Sequence, residues 1–118
     1  MRVLVCDDDQ DSAEALGTLL AVSSPVPVIV DLGYDGRQAV DIARNTRPDV
    51  VILDLEMPVL NGFDAAAAIR ATLSPPPMLV AVSGAPAAVI AAEAGSVFDH
   101  ALRKPLDFDD LCRLLFKQ

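Results

Sequence analysis

The sequence predicts an α/β domain built on an open, doubly wound parallel sheet of five strands. Short apolar runs of strand length alternate with helical patterns along the whole chain, the signature of βαβ units. The runs are continuous in Val, Leu and Ile instead of alternating with polar residues, as strands covered on both faces require. Charged or hydroxyl side chains stand directly behind most of them, at the strand ends where such sheets bind their ligands.

Taken in order, the first strand is expected over 2–6 and the first helix over 10–22, where Ala15, Leu16, Leu19 and Leu20 form the expected buried stripe. A second strand over 27–31 leads through the turn Asp35-Gly36 to a helix over 36–46. The third strand, 49–54, is followed by the helix-entry turn Asn61-Gly62 and a helix over 63–72. Ser74-Pro75-Pro76-Pro77 then separates that helix from a strand over 78–83 and a helix over 86–94. The last pair is a strand over 99–103 and a helix over 107–117, with Phe108, Leu111, Cys112 and Leu115 at helical spacing on one face. No stretch is long enough for an interdomain linker and no repeat is present, so 1–118 is read as one domain, of a length that supports a single core.

Composition removes several function classes. Hydrophobic residues make up 53% of the chain, too many for disorder. No apolar run approaches the ~20 residues that span a bilayer. Met1 is followed at once by a strand-like segment, without the basic start and cleavage site of a secretory signal, which places the expected location in the cytoplasm. Cys6 and Cys112 lack metal or disulfide-framework spacing and are read as buried thiols. Seventeen acids against nine bases give a net charge of -8, which disfavours direct binding to nucleic acid or to an anionic membrane.

The chemistry concentrates at strand ends. Asp7, Asp8 and Asp9 follow the first strand; carboxylates crowded together repel, and a chain that places them so usually shares a cation between them. Asp54 ends the third strand, Ser83-Gly84 the fourth and Lys104-Pro105 the fifth. Singly, each has an ordinary explanation. A strand-end Asp often caps the next helix, the reading preferred for Asp9 and Asp11. Lys104 alone would be a solvated surface lysine and Ser83 a turn residue. His100 has no second ligand at metal spacing and is read as a partly buried residue at a strand start.

In combination these residues resemble the receiver domain of bacterial two-component response regulators over essentially the full length. The motifs are Asp7-Asp8, the segment from Asp54 through Glu56-Met57-Pro58 to Asn61-Gly62-Phe63, Ser83-Gly84 and Lys104-Pro105. The resemblance implies the flavodoxin-like strand order 2-1-3-4-5 and five helices. It implies that Asp54 accepts a phosphoryl group from a histidine kinase or phosphotransfer protein. Mg²⁺, with Mn²⁺ as an alternative, would be held by Asp8 and Asp54, by Asp7 through water, and by the main-chain carbonyl of Glu56. Lys104 would pair with a phosphoryl oxygen and Ser83 would donate to another, with Gly84 leaving the approach open and a cis bond before Pro105. A phosphorylation-dependent homodimer is an assembly the resemblance allows, and no turnover of an external substrate is expected beyond slow autodephosphorylation.

Rival classes fit less well. A dinucleotide-binding domain needs a Gly-rich turn where Asp7-Asp8-Asp9 would repel a pyrophosphate. A haloacid-dehalogenase-like phosphatase also uses an aspartyl nucleophile and magnesium, but carries them in the reverse order along the chain. A partner-binding pseudo-receiver typically lacks one of the acidic positions present here. The chain departs from the family pattern near the fifth strand: Ala101 stands where receivers carry Tyr or Phe, and the approach from Ala94 to His100 is longer than usual, with Phe98-Asp99-His100 similar to receivers attached to hybrid kinases. Ala13, Gly17 and Ala21 are expected on an exposed edge of the first helix, where small side chains would let a partner helix approach.

Overall fold

A computed structural model describes residues 1–116. Among them are five strands and five helices: β1 (Arg2–Cys6), α1 (Gln10–Ser23), β2 (Ile29–Gly33), α2 (Gly36–Thr46), β3 (Val50–Asp54), α3 (Gly62–Thr72), β4 (Met78–Ser83), α4 (Pro86–Ala94), β5 (His100–Arg103) and α5 (Phe108–Leu115). The strands form one parallel sheet in the order β2-β1-β3-β4-β5, which is the doubly wound arrangement expected.

Strand periodicity splits the core in two. On one face Leu4, Cys6, Val51, Leu53, Leu79 and Ala81 pack against Ala39, Val40 and Ala43 of α2, Ala65, Ala66 and Ile69 of α3, and Ala92 of α4. On the other, Val3, Val5, Val50, Ile52, Val80 and Val82 meet Ala13 and Leu20 of α1 and Leu111 and Leu115 of α5. Adjacent residues of one strand therefore face opposite layers, and both must be apolar. Each fully buried Val, Leu or Ile contributes on the order of 1.5–3 kcal/mol relative to an exposed one.

Strand register brings the reactive ends together. Cys6 pairs with Leu53, which sets Asp7 beside Asp54, and Asp54 pairs with Val82, one residue before Ser83. Ser83 pairs with Arg103, one residue before Lys104.

Three sequence-based expectations are corrected. The second strand runs over 29–33, not 27–31. Pro27 has no N–H to give to a ladder, and pairing starts where Ile29 N donates to Met1 O at 2.9 Å. The strand then continues through Asp31, whose carboxylate is taken up by Arg2 Nε at 2.9 Å. On α1 the buried residues are Ala13, Gly17 and Leu20, whereas Ala15 is exposed and Leu19 is 45% exposed. The helix lies on the sheet through its small residues, so Ala13 and Gly17 cannot form an outer edge. Cys112 is only partly buried, unlike Cys6.

Helix starts follow their caps. Asp9 caps α1, its carboxylate accepting from Asp11 N and Ser12 Oγ, while Asp11 lies in the first turn and is not the cap. Asp35, Asn61 and Asp107 cap α2, α3 and α5. Because Asp107 is a cap, α5 begins at Phe108, and the expected helical residue Lys117 lies outside the described residues. Lys104–Pro105 is cis as expected, and Ser74–Pro75 is cis as well. His100 opens β5 and is partly buried.

Candidate phosphoacceptor site

The carboxyl edge of the sheet gathers side chains from four strand ends. Asp54, 4% exposed, is flanked by Lys104, whose Nζ lies 3.2 Å from Asp54 Oδ2 and 3.1 Å from Asp7 Oδ2. One ammonium thus bridges two carboxylates that would otherwise repel. The rest of each carboxylate is held by backbone: Asp9 N donates to Asp7 Oδ1 and Glu56 N to Asp54 Oδ1, both at 3.0 Å. Asp8 is exposed at the rim.

Electrostatics at this edge are set by partial burial. Desolvation, with help from the charge of Asp7, pushes the Asp54 carboxyl up to about 6, against the pull of the Glu56 amide and Lys104. Burial works to lower the Lys104 ammonium, but hydrogen bonds and charge from Asp7 and Asp54 outweigh it, and the group is raised. The Cys6 thiol, buried at the foot of the site, is pushed up to about 12 by desolvation; it is inert as a nucleophile at neutral pH.

Asp7, Asp8 and Asp54 each offer a carboxylate oxygen, all within 4.8 Å of one another. Hard carboxylate oxygens gathered this closely are the donor type that a small divalent cation takes, directly or through its retained waters.

Ser83 is fully buried, and its hydroxyl donates to the Glu56 carboxylate, 2.7 Å from Oε1 and 2.9 Å from Oε2. Sequence reasoning named Glu56 only for its carbonyl and missed this bond. No spacing in the sequence signals it, because Glu56 lies beyond the end of β3 and its partner comes from β4. Gly84 is open to solvent, and a Cβ there would meet nothing within 4 Å.

The floor and rim are fixed by glycine. A Cβ on Gly62 would stand 2.6 Å from the Asp54 carbonyl oxygen, and one on Gly36 1.7 Å from the Leu60 carbonyl oxygen. Between them, Leu60 N donates to Pro58 O at 2.7 Å across Val59, whose φ is 69°. A cavity of about 220 Å³ lined by Val5, Ile52, Val82 and Leu106 opens beside Asp54 and Lys104.

A two-sided α/β sheet that collects carboxylates, a hydroxyl and an ammonium at one topological switch point is a signalling-receiver architecture. Residues 3–116 match the response regulator receiver domain family model, and the chain belongs to that family, within two-component signal transduction. The response regulator MprA of Mycolicibacterium vanbaalenii is 35% identical over 113 residues, covering 94% of this chain and 47% of that protein. A protein-glutamate methylesterase/protein-glutamine glutaminase of Nitrosospira multiformis is 38% identical over 99 residues, covering 84% of this chain and 26% of that protein. The chain thus spans about half of one relative and a quarter of the other. Among solved structures, the Francisella response regulator 1452 receiver domain superposes with a TM-score of 0.81 at 26% identity, covering 98% of this chain and 96% of that one. The response regulator domain of Thermotoga maritima CheB gives 0.77 at 28% identity, covering 99% and 91%. No helix among the described residues is long and apolar enough to cross a membrane.

Proposed function

We propose that the chain is a single phosphoacceptor domain in which Asp54 takes a phosphoryl group from a histidine kinase or a phosphotransfer protein. The observation that carries this is the Lys104 ammonium bridging Asp54 and Asp7 at the carboxyl edge. A carboxylate oxygen of Asp54 attacks phosphorus as the P–N bond to the donor histidine breaks. The electron pair of that bond stays on the imidazole, which takes a proton from water, and Asp54 is left as an acyl phosphate. Because the transition state is loose, the protein contributes mainly alignment and charge neutralisation. Lys104 leaves the carboxylates for a phosphoryl oxygen, and Ser83 donates a hydrogen bond to another.

Asp8, Asp54, the main-chain carbonyl of Glu56 and, through water, Asp7 would hold Mg²⁺ or Mn²⁺. When bound, that cation supplies charge neutralisation on the phosphoryl oxygens. The -8 net charge supports protein partners over nucleic acid, and the reading places the domain in the cytoplasm. It leaves slow autodephosphorylation as the only turnover and homodimerisation as dependent on the phosphoryl group.

Incubation with acetyl phosphate or phosphoramidate and magnesium should add one phosphoryl group by intact mass. Asp54→Asn should lose it, as should the native chain in excess chelator. Undiminished labelling in either case would defeat the assignment.

A further inference from the structure

A serine hydroxyl has a single proton to donate, and Ser83 spends it on Glu56 at 2.7 and 2.9 Å from the two carboxylate oxygens. Its oxygen also accepts from Ala85 N at 3.0 Å. In this arrangement no donor remains for any other acceptor. Glu56 is linked to the acceptor carboxylate as well, since its own amide donates to Asp54 Oδ1. Lys104, the cation of the site, is taken by Asp7 and Asp54, and the other ion pairs among the described residues involve different acids. Glu56 is exposed while Ser83 is fully buried.

We propose that Glu56 is a positioning residue that holds Ser83 in its unphosphorylated orientation, so that the Ser83–Glu56 hydrogen bond sets how readily the site takes up a phosphoryl group. The proposal rests on the reading of Asp54 as phosphoacceptor. A phosphoryl group brings roughly -1.5 to -2 charge and three strong acceptor oxygens. Those oxygens compete with Glu56 for the one Ser83 proton, and a hydrogen bond to a charged acceptor is the stronger kind to give up. Release is still reversible, because an exposed carboxylate that loses Ser83 finds water and leaves no buried charge behind. The latch therefore weakens uptake without blocking it. A residue with no acceptor at this position would leave the serine free to turn.

The test uses beryllofluoride with magnesium as the phosphoryl mimic and measures its Kd calorimetrically on the full chain. The set is the native protein, Glu56→Ala, Glu56→Gln, Ser83→Ala and the double variant Glu56→Ala with Ser83→Ala. Glu56→Ala should bind about tenfold more tightly than native. Glu56→Gln, which keeps an acceptor but not the charge, should gain less. The gain should vanish in the Ser83→Ala background, because a double-mutant cycle isolates the pair. A gain of equal size with and without Ser83 would show that the carboxylate acts by charge alone, and no gain in Glu56→Ala would equally overturn the latch. A second readout needs neither metal nor mimic. The Ala85 amide resonance, which reports on Ser83 Oγ, should move in Glu56→Ala toward its position in the beryllofluoride complex; an unmoved resonance overturns the proposal. If the native protein binds no beryllofluoride, the phosphoacceptor reading itself falls and takes the latch with it. That outcome is distinct from a native protein that binds while its variants bind equally.

Discussion

At the residue scale, the reactive side chains are held in positions that cost stability. Asp54 is the main case. Its carboxyl sits at about 6 in the fold against an ordinary ~3.9, so it binds its proton more tightly folded than unfolded. Stability from this group is fully present below the unfolded value and is lost as pH rises through about 6. Asp54→Asn imitates the neutral form at every pH. In chelator, the variant should therefore gain stability over the native protein as pH rises from 5 to 7.5, read from urea unfolding midpoints; a constant difference across that range would contradict the account. Val59 is the second case. A β-branched residue at φ 69°, 81% exposed, costs of order 1–3 kcal/mol. Val59→Gly should stabilise the domain by about 1 kcal/mol after the glycine's extra unfolded-state entropy is subtracted, measurable in the same assay. Asp7 and Asp54 were legible in the sequence because each directly follows an apolar run, and Lys104 because it stands with Pro105 at the end of the last strand-like segment. The left-handed turn at Val59 and the Ser83–Glu56 bond were not, since valine does not announce a positive φ and a rotamer choice depends on neighbours from another strand.

At the scale of elements, the correction to α1 has a packing cause. Sequence periodicity identifies helices and strands well, but which side a small residue faces depends on what packs there. Ala13 and Gly17 were expected outside, and they are buried because α1 approaches β2 closely: a Cβ on Gly17 would stand 3.2 Å from Leu32 Cδ2 and Val30 Cγ1. Gly17→Leu would overpack this contact and should destabilise by about 1–3 kcal/mol, so it is no selective probe of partner docking. The glycine at 36 is stricter, because the nearest atom is backbone. Gly36→Ala should push the Leu60 carbonyl away and disturb the loop that carries Glu56, with loss of both stability and phosphorylation rate. The β5 region follows from a network that spacing could not reveal. Arg70 of α3 donates through Nε to Val97 O at 3.0 Å and reaches Asp99 Oδ2 at 3.3 Å, and Asp99 Oδ2 also accepts from Leu79 N at 2.8 Å. Phe98 lies edge-on against Phe63, with centroids 5.8 Å apart. The clamp pins the segment before β5, and if a phosphoryl group draws Ser83 away as proposed, Ala101 has no ring to follow it. With beryllofluoride, amide shifts should be large around Ser83 and small across 98–103. Large shifts there, with new dimer formation, would show that Phe98 or His100 supplies the missing aromatic movement.

At the scale of the whole molecule, the strand order is what turns dispersed acids into one site. The strand order reverses at β1, which puts β3 beside it, so Asp7 and Asp54, 47 positions apart in sequence, come to share one ammonium, and 17 acids against nine bases leave a surplus of negative charge around it. Among the described residues Lys104 is the one cation paired with the two buried carboxylates, while Asp8 faces the same point without it. A divalent cation would therefore relieve repulsion in the folded state that the unfolded chain, with its acids dispersed, does not feel. Binding confined to the native state stabilises by RT ln(1 + [L]/Kd), ~2.7 kcal/mol at a hundredfold excess over Kd, which is on the order of 10 °C in Tm for a domain of this size. Thermal melts with increasing magnesium should climb accordingly at neutral pH. At pH 5 the climb should shrink, because protonation of Asp54 competes with the cation. Asp8→Ala should flatten the response more than it lowers the metal-free Tm, since Asp8 is exposed and contributes little to the core. An undiminished climb in that variant would place the cation away from this edge.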